Sequence, residues 1–177
     1  MSEWDELVLI NYCHPNCEPM KNVMRLPRAE AFALAKKMAA ENPDTTAFYR
    51  FADFENYYAL RERQDAFLYE RFLRLGGRPL DKHPLSFTVG PSGYLKDWFA
   101  GGTETRLLLK TVPEDRVSFT VGDSGAVFGR EGTVELLLKR DLERLVSQSG
   151  GFAAFLAGTG KQYVEAQLWD VWPLSGL

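Results

Sequence analysis

One eight-residue phrase occurs twice in the chain. Ser86-Phe87-Thr88-Val89-Gly90-Pro91-Ser92-Gly93 matches Ser118-Phe119-Thr120-Val121-Gly122-Asp123-Ser124-Gly125 at seven of eight positions, thirty-two residues apart. Successive side chains of a strand point to opposite faces, so Phe and Val share one face of each copy while Ser and Thr share the other. Each copy then ends in Gly-x-Ser-Gly, where glycine admits backbone angles closed to other residues and the chain can turn. Two copies are too few for a solenoid. The expectation is a pair of related strand-turn units in one sheet, with Phe and Val inward. A functional reading stands beside it: Ser86, Thr88, Ser118, Thr120 and Ser124 would line a common cleft, and the N–H groups of such turns make anion-holding concavities.

The rest of the chain supplies partners for that sheet. Leu7 to Tyr12 reads as a strand. A helix is expected from Pro27, with Ala31, Leu34, Ala35 and Met38 at helical spacing, ending at Asn42-Pro43. Thr45 to Phe51 reads as a second strand. A long helix capped by Asp53 then runs to about Leu75, where Gly76-Gly77 stops it. Its alternating Arg and Glu residues read as a solvated face, Arg61 among them. Further strands are expected at Leu85–Val89, Thr105–Lys110, Val117–Val121 and Tyr163–Trp169, with a short helix over Gly93–Ala100. Thr133 to Val146 reads as strand followed by helix. No Pro/Ser/Gly-rich linker divides the 177 residues. The expected fold is therefore one α+β domain spanning residues 1–177, with a mixed or antiparallel sheet of about five to seven strands and two main helices packed on it.

Composition narrows the function classes. The longest apolar runs, such as Phe152 to Ala157, fall far short of the ~20 residues a membrane helix needs. The chain opens Met1-Ser2-Glu3-Trp4-Asp5-Glu6, acidic where a secretory signal is basic and then apolar, so a cytoplasmic location is expected. A formal charge of −3 argues against a nucleic-acid-binding surface. It suits a basic protein partner better. Cys13 and Cys17 read as free thiols. Only Cys13, His14, Cys17 and His83 could serve as nitrogen or sulfur ligands for zinc, so neither a metal nor any other cofactor is expected. Aromatic residues are numerous, 12 Phe, 7 Tyr and 4 Trp. Those around Arg50 read either as packing at a strand-helix junction or as rings on which a base could stack.

Two sets of residues resemble known enzyme motifs. Gly122-Asp123-Ser124-Gly125 is similar to the nucleophile motif of chymotrypsin-like proteases and to that of the Gly-Asp-Ser hydrolases. The chain has no histidine in the place either family requires, and it lacks the final glycine of the α/β-hydrolase elbow. Arg50 in Phe48-Tyr49-Arg50-Phe51, then Ser86-Phe87-Thr88, then Glu165-Ala166-Gln167 resemble, in that order, the motifs of the arginine-serine-glutamate ADP-ribosyltransferases. The resemblance implies that Arg50 holds a pyrophosphate, Ser86 supports a ribose and a late carboxylate steadies cationic charge. The chain departs from the pattern at Gln167, which stands where that family carries its catalytic glutamate. Two functions follow as expectations. One is a binding or interaction module without catalytic apparatus. The other is an enzyme or binder acting on a nucleotide-like, phosphate-bearing ligand through Arg50, the Ser/Thr faces of the repeat and Glu165. They differ in whether those residues meet in one cleft.

Overall fold

Both copies of the repeat form strands, and both pair with the same third strand. In the computed structural model, which describes residues 2–175, a one-turn helix α1 (Glu3–Glu6) leads into β1 (Val8–Cys13). The helices α2 (Arg28–Glu41) and α3 (Phe54–Arg74) follow. Then come β2 (Leu85–Val89), α4 (Gly93–Trp98), β3 (Thr103–Leu108), β4 (Val117–Val121), α5 (Ser124–Glu131), α6 (Lys139–Gln148), α7 (Phe152–Thr159) and β5 (Val164–Leu168). The strands form one sheet in the order β3-β1-β2-β5-β4, every neighbouring pair antiparallel. The fold is α+β, as expected.

The two copies flank β5 in identical register. Phe87 and Phe119 both lie opposite Ala166, Thr88 and Thr120 opposite Glu165, and Ser86 and Ser118 opposite Gln167. Sequence alternation thus becomes a two-faced sheet. On one face Phe87, Val89, Val117, Phe119, Val164, Ala166 and Leu168 join Leu142 and Val146 of α6 and Phe155 of α7 in a buried core. A small residue between two large rings lets them close over the strand without a void. The other face carries the hydroxyls, Glu165 and Gln167. There α3 lies across it: the Phe72 ring stacks on Trp169 at 5.7 Å, joining a second core of Leu68, Val134, Leu136 and Leu138. A third cluster, Met24, Ala31, Ala35, Phe54 and Tyr58, holds α2 against α3. Both repeats turn at a glycine in the left-handed region, Gly90 at φ +73° and Gly122 at φ +85°. In each the preceding threonine hydroxyl donates to that glycine's carbonyl.

Three expectations change. Thr45 to Phe51 is not a strand: Thr46–Asp53 is a 3-10 helix. The reason is a spacing of three. Phe48, Phe51 and Phe54 recur at the period of a 3-10 helix, and their rings contact in sequence at 5.5 and 5.4 Å. The expected strand after Thr133 is reduced to one bridge, Leu137 with Phe119. Its neighbours Val134, Leu136 and Leu138 are drawn into the second core instead. α5 and α7 were not expected at all. Elsewhere the limits shift by a residue or two: β3 begins at Thr103, and Pro27 sits one place before α2. Among the described residues no helix is long and apolar enough to cross a membrane.

Phe87 and Phe119 are 2% and 0% exposed. Phe87→Ala and Phe119→Ala are each expected to lower unfolding free energy by about 3–5 kcal/mol. Arg130→Ala on the exposed side of α5 should change it by less than about 0.5 kcal/mol. Urea denaturation of the three variants measures the contrast, and a phenylalanine loss no larger than that of Arg130 contradicts the core described above.

Candidate functional site

The polar face of the sheet does not meet the helices everywhere. A cleft of about 800 Å³ opens between them. Its floor is Tyr12 of β1, Ser86 and Thr88 of β2, and Glu165 and Gln167 of β5. Tyr57, Arg61, Gln64 and Asp65 of α3 form one wall, continued by Tyr49 and Arg50 from the 3-10 turn before it. Tyr94 and Trp98 of α4, Asp123, Ser124 and Gly125 at the start of α5, and Tyr163 complete the lining.

A chain of hydrogen bonds running in one direction leads to Glu165. The indole Nε1 of Trp169 donates to Ser118 Oγ at 2.8 Å. An indole can only donate, so the Ser118 proton must go onward, to Gln167 Oε1 at 2.8 Å. That fixes the amide. Gln167 Nε2 therefore donates to Glu165 Oε1 at 2.9 Å and to Thr120 Oγ1 at 3.0 Å. From the other side Ser124 donates twice, its hydroxyl to Glu165 Oε1 at 2.6 Å and its backbone N–H to Oε2 at 3.0 Å. Gln64 Nε2 donates to Ser124 Oγ at 2.9 Å. Burial raises the affinity of Glu165 for a proton above that of an ordinary glutamate, and the charge of Asp123 adds to it; the bonds from Ser124 and Gln167 oppose the shift without cancelling it. Burial also pushes the Tyr163 phenol upward, with Asp123 and Glu165 adding to the effect. Its ring lies nearly parallel to that of Tyr94 at 6.3 Å.

Arg50 is held differently. Its Nε donates to the Tyr49 hydroxyl at 2.6 Å, and its guanidinium lies over the rings of Tyr49 and Tyr57 at 5.4 and 5.9 Å. Among the described residues no carboxylate forms an ion pair with it, whereas the neighbouring Arg61 is paired with Asp65 at 3.5 Å. Asp65 in turn accepts from His83 at 2.7 Å. The hydrogen bond it gives to Tyr49 raises the Arg50 pKa further, so its charge is permanent.

The residues singled out from the sequence divide into two groups. Arg50, Ser86, Thr88, Ser124 and Glu165 line the one cleft. Ser118 and Thr120 are fully buried beneath it and act through Gln167. Arg50 stands on a 3-10 turn rather than a strand, which departs from the layout that the ADP-ribosyltransferase resemblance implies. Gln167 is 1% exposed with both ends of its amide engaged, so the carboxylate of the pair that faces the cleft is Glu165. Arg61 is not on a solvated face but turned inward. Gln64, Asp123, Tyr94 and Tyr163 were missed. A signal existed for Gln64: Tyr57, Arg61, Gln64, Asp65 and Leu68 recur on one helical stripe, which places polar groups on the inward face. Cys13 is buried, and burial pushes its thiol up to about 11, where it stays protonated and a poor ligand or nucleophile. Among the described residues no group of three or more His, Cys, Asp or Glu could hold a metal ion. Comparison with protein-family models, with curated proteins and with solved structures finds no match to this chain.

The raised pKa of Glu165 makes a directional prediction. Between the ordinary glutamate value of 4.5 and its own folded value, Glu165 binds more protons folded than unfolded. Its contribution to stability is thus fully present at low pH and lost as pH rises through that window, at up to about 1.4 kcal/mol per pH unit. The stability of the wild type relative to Glu165→Gln should therefore fall as pH is raised from 4.5, measured by chemical denaturation at successive pH values. A flat or rising difference contradicts the assignment.

Proposed function

We propose that the cleft binds a nucleotide-like, phosphate-bearing small molecule. The observation that carries this reading is the convergence in one concavity of an unpaired arginine, Arg50, with the buried carboxyl of Glu165. A guanidinium fork that no carboxylate holds in an ion pair is matched to phosphate oxygens, which it can take two at a time. Tyr49 and Tyr94, half-exposed in the same lining, offer ring faces on which a base can stack. A volume of about 800 Å³ is that of a small-molecule site. Aromatics gathered inside a concavity favour this reading over that of a protein-interaction module, whose rings would stand on an open face. Glu165, with its raised proton affinity, equips the same cleft to move a proton to or from a bound ligand. Free thiols at Cys13 and Cys17 support a cytoplasmic setting.

The test is titration with AMP, ADP, ATP, NAD, ADP-ribose and inorganic phosphate, followed by thermal unfolding and calorimetry. A ligand at a hundred times its dissociation constant stabilises by ~2.7 kcal/mol, which is several degrees for a domain of this size. Arg50→Ala should weaken that binding at least tenfold, the loss expected for a charge-assisted hydrogen bond worth about 1.5–3 kcal/mol. If no ligand of the panel shifts the midpoint, or the shift survives Arg50→Ala, the proposal is wrong.

A further inference from the structure

Where α3 meets the start of α5, one acceptor lining the cleft lacks a donor. Ser124 gives its hydroxyl proton to Glu165, so it must receive from Gln64, and the Gln64 amide is thereby oriented with Nε2 toward Ser124. Its Oε1 is left over. That oxygen is shut off from water and has no hydrogen-bond partner, although Gln64 is only 6% exposed. An unsatisfied buried acceptor is uncommon and destabilising by about 1–3 kcal/mol, so a native one calls for a reason.

Gly125 supplies the context. A Cβ built there would stand 3.1 Å from Gln64 Oε1 and 3.2 Å from Asp123 Oδ1. The absence of a side chain therefore spares both acceptors a crowding contact. Gly125 needs no glycine for its backbone, since it lies inside α5 and has no positive φ. Close by, Glu165 Oε2 receives only the Ser124 N–H and keeps lone-pair capacity to spare. Tyr94 and Tyr163 stand alongside as flat walls.

One acceptor without a donor, two carboxylates with lone pairs to spare and neighbouring ring faces define what fits. We propose that this part of the cleft recognises the exocyclic amino group of a nucleobase, its N–H bonds taken by Gln64 Oε1 and by the carboxylates of Asp123 and Glu165. The inference rests on the nucleotide-binding reading and narrows it to amino-bearing bases. A carbonyl oxygen in the same place would face Gln64 Oε1 and the Asp123 carboxylate, neither of which donates, so amino bases are preferred over oxo bases.

The experiment compares ligands that differ at one group. AMP is titrated against purine riboside 5′-monophosphate, which lacks only the amino group, and CMP against UMP, each with wild type, Gly125→Ala and Gln64→Met. Wild type should bind AMP and CMP at least about tenfold more tightly than their partners, as a hydrogen bond to a charged group implies. Gly125→Ala presses a methyl group against both acceptors with a residue that favours helix, so the fold is kept and the preference should vanish. Gln64→Met removes the acceptor at similar volume and should reduce it, which guards against a failure of the first variant to fold. Equal binding of AMP and purine riboside monophosphate by wild type overturns the amino subsite while leaving the phosphate reading standing. A preference that persists in both variants removes it from Gly125 and Gln64. Absence of binding by all four nucleotides overturns this inference, while the nucleotide reading stands or falls on the wider panel above.

Discussion

The indole of Trp169 has one polar hydrogen and no acceptor, and it is fully buried. Its hydrogen bond to Ser118 can run in one direction only, and every later bond inherits that direction through Gln167 to Glu165. The consequence is unusual definition in a region built of side chains that could otherwise turn over. A serine hydroxyl rotates freely and an amide can flip, but neither can do so here without setting donor against donor in a dry interior. The same indole stacks on Phe72 and so ties α3 to the sheet. The residue that orients the cleft floor thus also fixes the position of its wall.

The two copies of the repeat share a frame and differ in use. In both, the N–H of the turn serine is received by a side chain from a neighbouring strand. In the first copy the acceptor for Ser92 is the neutral hydroxyl of Tyr12, and in the second the acceptor for Ser124 is Glu165. The one mismatch in the repeat reinforces the difference. Pro91 brings no charge, whereas Asp123 caps α5 through Ala126 and places a second carboxylate near Glu165. Ser86 remains open to the cleft while Ser118 is sealed beneath Gln167. A near-duplicate sequence yields a scaffold on one side of β5 and a charged corner on the other.

Much of the framework was legible in the chain because it depends on short periods. Alternation in the repeat assigned its faces, and Gly76-Gly77 marked the end of α3. The 3-10 turn before α3 was misread because Thr-Ala-Phe-Tyr-Arg-Phe satisfies a strand pattern as well, and only the contacts of Phe48, Phe51 and Phe54 decide between them. Glu165 and Arg50 could be named as candidates, since both stood in recognisable words. That Glu165 lies between the two repeats could not be read, because strand order is a property of the whole chain. The stripe on α3 turns Gln64 inward, but its role could not be read for a related reason: it comes from Ser124, which belongs to a distant helix.

The placing of β5 has a consequence for how the chain acquires this shape. The strand that comes last in sequence occupies an inner position of the sheet, between β2 and β4, which do not pair with one another. During synthesis, β1, β2 and β3 can associate, but β2 keeps an open edge and the rings of Phe87 and Phe119 have no Ala166 to close over. Pairing across such long separations carries a loop-closure penalty before it returns any contact energy. Until residues 164–168 take their place, the cleft lacks Glu165 and Gln167 and nothing joins β2 to β4 in the sheet.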